Sequence, residues 1–110
     1  MTPDEVTADR LRHFPALLSR WRGGRARFWS YTVSHTTLVI RVERTGVLGN
    51  LEVSCCPTHI VGPVEWFDAD IEIDYETGVG YVVRDRAAGV CIRTEGVSVA
   101  ENVKPVFVGL

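Results

Sequence analysis

Residues 50–76, NLEVSCCPTHIVGPVEWFDADIEIDYE, decide how the rest of the chain is read. From Ala69 to Tyr75 the sequence alternates: Ala69, Ile71, Ile73 and Tyr75 on one parity, Asp70, Glu72 and Asp74 on the other, with Asp68 and Glu76 extending the acidic row. Side chains of a strand point to opposite faces in turn, so a period of two buries one row and leaves the other in water. Leu51, Val53 and Cys55 alternate with Glu52 and Ser54 in the same way. Between these strands stand Cys56-Pro57 and Gly62-Pro63. Proline lacks an amide donor and restricts the residue before it, so the reading puts an irregular loop over 56–67 in place of a continuous strand.

Downstream, Thr77-Gly78 predicts a hairpin turn between strands 69–76 and 79–84, glycine supplying the positive φ that such turns use. Further strands are expected at Val90–Thr94, Val97–Val99 and Val103–Val108, with a turn at Glu95-Gly96 and with Pro105 tolerable only on an edge. Upstream, Phe28–Ser34 and Thr36–Arg44 are rich in aromatic and β-branched residues, which suit a pleated surface. The chain opens on a helix signal: Thr2 as N-cap, Pro3 at the first helical position, and Asp4 and Glu5 where the helix dipole favours acids. Val6, Arg10, Leu11, Phe14, Leu17, Leu18 and Trp21 follow at helical spacing. Pro15 interrupts that stripe and predicts a kink or two short helices meeting near Phe14, with a stop at Gly23-Gly24.

The fold class that follows is α+β. A kinked N-terminal helix, or two short helices, over residues 1–24 packs on an antiparallel meander of about seven strands over 25–110, open, sandwich-like or half-barrel. A chain of 110 residues, 45% hydrophobic, suits a single domain with its own core. No run approaches the roughly 18 apolar residues of a membrane span, and the segment TPDEVTADRLRH is charged where a signal peptide would be apolar. Three cysteines, two of them adjacent, make a poor disulfide framework, and the reading is of a cytoplasmic protein in a reducing compartment. Arginine greatly outnumbers lysine, a composition taken here as bacterial in type.

The net charge of -2 is unevenly placed. Residues 1–44 hold eight basic and four acidic residues, residues 45–110 four basic and ten acidic. The two halves can pair within the fold, pair between subunits, or face two partners. Arg20, Arg22, Arg25 and Arg27 flank Gly23-Gly24, where they could hold phosphate or serve as cations after a helix C-terminus; a sequence pI of about 5.9 makes nucleic acid an unsuitable partner.

Cys56 and His59 offer two zinc ligands at short spacing, and Cys91, His35, His13 or a carboxylate would have to complete a four-ligand site, without a second ligand pair to support it. Cys56 or Cys91 with His35 or His59 as base would be the corresponding enzymatic arrangement, but no nucleophile motif surrounds either cysteine. Same-face carboxylates of the acidic row stand about 6.5–7 Å apart on a straight strand, too far for several to share one ion. Of Trp66 and Phe67, neighbours on a strand, one ring is expected to be exposed or to mark a bend. No phosphate loop, dinucleotide fingerprint, nucleophile elbow or metalloprotease helix is present. The sequence therefore points to a small soluble domain that acts by binding, a protein partner or a second copy, through Cys56, His59, Trp66, Asp68, Asp70 and Glu72. A small-ligand or zinc-binding domain built on the Cys56–His59 loop and Cys91 is the alternative, and a cysteine enzyme the third; no other cofactor is called for, and no membrane.

Overall fold

The computed structural model describes residues 3–32, 34 and 36–102. One helix, α1 (Pro3–Arg20), precedes seven strands: β1 (Arg25–Tyr31), β2 (Leu38–Glu43), β3 (Asn50–Val61), β4 (Glu65–Trp66), β5 (Glu72–Glu76), β6 (Gly80–Asp85) and β7 (Val90–Asn102). All seven form one antiparallel sheet in the order β4-β1-β2-β3-β7-β6-β5. The α+β class, the helix-first order and the strand count agree with the pattern in the sequence. The N-cap Thr2, the imidazole of His35 and the strand expected at Val103–Val108 with Pro105 lie outside the described residues. Among the described residues no helix is long and apolar enough to cross a membrane.

The helix runs unbroken through Pro15, which is exposed. Its buried side chains Phe14 and Leu18, with Trp21 just past its end, recur at the spacing that places them on one face. They meet a core built from alternate residues of the strands, among them Leu38, Ile40, Leu51, Val53, Val83 and Ile92, each at most 1% exposed. The helix ends where Trp21 and Gly24 fold into a tight turn. A Cβ on Gly24 would stand 2.6 Å from the Glu43 carbonyl oxygen, so only glycine lets the chain pass that close to β2.

Two expectations are corrected along β3 and β7. The Cys56-Pro57 pair does not end β3, which continues to Val61, and Glu95-Gly96 is no turn, because β7 runs through it. The reason lies in the register. Between the pairs Cys55↔Val97 and Pro57↔Thr94, β7 carries one extra residue; between Pro57↔Thr94 and His59↔Arg93, β3 carries one extra. The two bulges cancel, so pairing resumes in step, and proline occupies a position where the ladder is already interrupted. The displaced Cys56 amide donates to Thr94 Oγ1 at 2.9 Å, and that buried hydroxyl donates in turn to the Gly96 carbonyl at 2.6 Å. A third correction concerns 69–71: β5 begins only at Glu72, after Asp68 adopts a φ of 52°, although Ala69, Ile71 and Ile73 keep the buried parity.

β4 and β5 lie at opposite ends of the strand order, yet only residues 67–71 separate them in the chain. Six Cα steps span at most about 20 Å, so the sheet must curl until its edges nearly meet, giving an open half-barrel. The seam is held by Asp85, 1% exposed at the end of β6. Its Oδ2 accepts from the Trp66 indole Nε1 at 2.8 Å and from the Asp70 amide at 2.7 Å, while Oδ1 accepts from the Ala88 amide at 3.4 Å. Ala69 exchanges backbone hydrogen bonds with Gly23 and Gly24, which ties the same linker to the end of α1. Replacing Asp85 by alanine strands the buried Trp66 indole and the part-buried Asp70 amide and is expected to cost about 3 kcal/mol. Urea unfolding of Asp85→Ala, beside the exposed-site control Glu95→Ala with a change within about 0.5 kcal/mol, measures it.

Candidate partner-binding cleft

β5 is an end strand, paired among the described residues with β6 alone. Beside its outer edge runs α1, and between them opens a cleft of about 260 Å³. Phe14, Pro15 and Leu18 form the helix wall; Ile71 and Ile73 form the strand wall. These apolar side chains reach the cleft because the helix stripe and the odd parity of 69–73 face the same core, and where the sheet ends that core comes close to the surface, Phe14, Leu18, Ile71 and Ile73 each keeping 6–8% exposure. Arg22 closes one end by pairing with Asp70 at 3.1 Å. Glu72 and Asp74 line the rim.

The residues singled out in the sequence are thus distributed over three places. Asp70 and Glu72 line the cleft, and Asp68 stands exposed at the left-handed bend leading into it. Trp66 is a core residue: it is buried, packs edge-on to Phe28 and gives its indole hydrogen to Asp85. Its neighbour Phe67 is the exposed ring, with the Arg25 guanidinium 5.8 Å from its centroid. Cys56 and His59 are exposed on β3, on either side of the bulge, and Cys91 lies opposite Val61 and Arg84. Among the described residues no group of three or more His, Cys, Asp or Glu side chains is gathered closely enough to hold a metal ion. The helix wall of the cleft could not be assigned to a site from sequence, since the same spacing that marks Phe14 and Leu18 as core says nothing of where the core is left open.

The arginines around the two glycines are committed to carboxylates, three of them from the acidic half of the chain. Arg20 pairs with Glu101 at 2.7 Å, Arg22 with Asp70, Arg25 with Glu65 at 2.7 Å, and Arg27 with Glu43 at 2.9 Å. Arg27 and Arg41 also lie over the Trp29 ring, 4.7 and 3.6 Å from its centroid. The acidic row is partly neutralised in the same manner: Asp74 and Glu76 both hold Arg84, and Glu72 holds Arg86. The charge asymmetry of the sequence is therefore spent largely within the fold. The hydrogen bond from Arg20 holds the Glu101 carboxyl below its ordinary value, against a smaller opposing effect of burial, and the Trp21 indole hydrogen adds to the lowering. A depressed folded value means a contribution that is whole above the unfolded carboxyl's value of about 4.3 and is lost as pH falls through the lower folded one. Glu101→Gln is expected to be less stable than the parent at neutral pH, with the gap narrowing as pH falls through about 4 in pH-dependent thermal unfolding.

The cysteines differ from one another in the same terms. Cys55 is 2% exposed, and burial pushes its thiol up to about 11, with the nearby Cys56 adding to the rise and a hydrogen bond with Thr94 opposing it. A nucleophile needs the thiolate, which this site withholds at neutral pH. Iodoacetamide at about pH 8, near the ordinary thiol value, is expected to modify Cys56 and spare Cys55 in the folded protein, with both modified in urea, as read by peptide mass mapping.

No family model, curated protein or solved structure matches this chain, and the cleft is interpreted from its own geometry.

Proposed function

We propose that this protein works by binding another protein, and that the partner lays an extended segment along the free edge of β5 within the α1–β5 cleft. The observation that carries this reading is the coincidence of a sheet edge that no described strand extends with a cleft beside it, apolar at its back, charged at its rim and walled by a helix. Strand addition draws its affinity from main-chain hydrogen bonds and its specificity from pockets that take alternate side chains. Both parts are supplied here: β5 offers the edge, and Phe14, Leu18, Ile71 and Ile73 offer the pocket.

The charges favour one type of segment. Asp68, Asp70, Glu72, Asp74 and Glu76 outnumber the arginines that hold them, Arg22, Arg84 and Arg86, by two. A segment alternating apolar and basic residues suits such a rim. A second copy of β5 suits it poorly, because antiparallel self-pairing about Asp74 would set Glu72 against Glu76 and Asp74 against itself, and like charges directly opposite one another destabilise a sheet. Association with a foreign strand is accordingly the reading preferred over self-association through this edge.

The test uses an acetylated seven-residue peptide of alternating valine and lysine, titrated into the isotopically labelled protein and followed by amide NMR. Saturable shifts and slowed exchange at residues 72–76, with weaker binding by the aspartate analogue, are expected. Glu72→Lys/Asp74→Lys is expected to weaken binding at least ten-fold. Shifts confined to other surfaces, or none at all, would refute the reading.

A further inference from the structure

A second concavity lies on the other side of Phe14, away from the β5 edge. It is an open groove of about 420 Å³ between the middle of α1 and the bulged part of the β3–β7 ribbon. Its walls are largely apolar, with Phe14, Cys55, Val97 and Val99 contributing, and Thr37, Ser54 and Ser98 add hydroxyl-bearing positions along it. Cys56 lies at the bulge end, and Arg10 is the sole cation of the lining.

Two independent observations indicate what the groove accepts. The first is space. Gly96 lines the groove, and a Cβ built on it meets no atom within 4 Å, so the bulge leaves an open floor where a side chain would ordinarily stand. The second is charge. Arg12, Arg20, Arg22, Arg25 and Arg27 each hold a carboxylate of the chain, whereas Arg10, like Arg44 and Arg93, is paired with none of the carboxylates described over residues 8–102. A guanidinium matches a carboxylate with two parallel hydrogen bonds, and a pocket of this size with apolar walls and few polar groups is typical of small-ligand sites.

We infer that the groove binds a monoanionic amphiphile, a carboxylate carried on an acyl or arylalkyl body, with the carboxylate on Arg10 and the apolar body over Gly96 against Phe14, Val97 and Val99. One cation and no second basic group in the lining match a single negative charge better than a phosphate dianion. This site is separate from the β5 edge, and its occupancy is read at different residues.

Sodium decanoate, kept below its micelle concentration, is the probe, and the rate of Cys56 alkylation by iodoacetamide is the readout, with Cys91 in the same sample as internal reference. Decanoate is expected to slow Cys56 alkylation at least five-fold with a saturable dependence while leaving Cys91 unchanged. Arg10→Gln is expected to raise the apparent Kd about ten-fold. Gly96→Phe, at a position whose φ lies outside the left-handed region, fills the floor and is expected to abolish protection while urea unfolding stays cooperative. Because the phenylalanine can itself shield Cys56, decanoate-induced amide shifts at 97–99 are followed in parallel and are expected to vanish in that variant. Equal slowing at Cys56 and Cys91, protection that does not saturate, or an unchanged Kd in Arg10→Gln would overturn the inference, as would decanol protecting as well as decanoate.

Discussion

The carboxylate of Asp85 is the group on which the shape of this molecule depends. It is fully buried, and the donors it satisfies come from β4, from the linker that follows it and from the turn after β6. Those elements belong to opposite margins of one sheet. Without a shared acceptor at the seam, the Trp66 indole would be buried without a partner, which folded proteins rarely tolerate, and the part-buried Asp70 amide would lose its own. The curl of the sheet, the position of α1 over its concave face and the two openings left around that helix all follow from closing the seam at this point.

The second constraint is the paired irregularity of β3 and β7. A proline in a central strand is ordinarily a sign that the strand assignment is mistaken. Here the proline sits between two bulges of opposite sense, and Thr94 replaces the missing backbone partner with a side-chain hydroxyl. The same device divides the ribbon into two working lengths: Asn50–Cys55 carries β2 on one side, and Val90–Thr94 carries β6 on the other. Long strands thus serve two smaller sheets at once, and the local widening at Gly96 leaves the groove beside Arg10.

How much of this was legible in the sequence varied with the range of the interaction concerned. The alternation at 38–43 and 51–55 and the helical spacing of Phe14, Leu18 and Trp21 are local signals and strands and a helix stand there, whereas the strand read over 69–76 begins only at Glu72 and the helix read as kinked at Pro15 is continuous. The strand boundaries at Cys56-Pro57 and Glu95-Gly96 were misread because each motif is a breaker in isolation, and only the register between two strands about 40 residues apart reveals that they offset each other. Asp85 follows directly on the strand expected at 79–84, and nothing near it in sequence shows that it will meet Trp66. Of the candidate site, Asp70 and Glu72 were legible as an acidic strand row, but their helix partner and the openness of the β5 edge depend on strand order, which the alternation does not encode. Trp66 was chosen for its size and its acidic neighbours, features that a core residue shares.

β7 is the last of the described strands in chain order, yet it lies inside the sheet, flanked by β3 and β6. In a chain made from its N-terminus, the strands β1, β2 and β3 and the hairpin β5–β6 are all complete before the strand that joins them. Until then two inner edges, rich in Val and Ile, are bare, and bare edges of that kind are where nascent chains associate wrongly. Ile92 and Val90 complete the core only on β7's arrival, and Glu101 at its far end then reaches back to Arg20 across 81 residues. The union of the two groups of strands consequently rests on β7, the last 13 residues of the described chain.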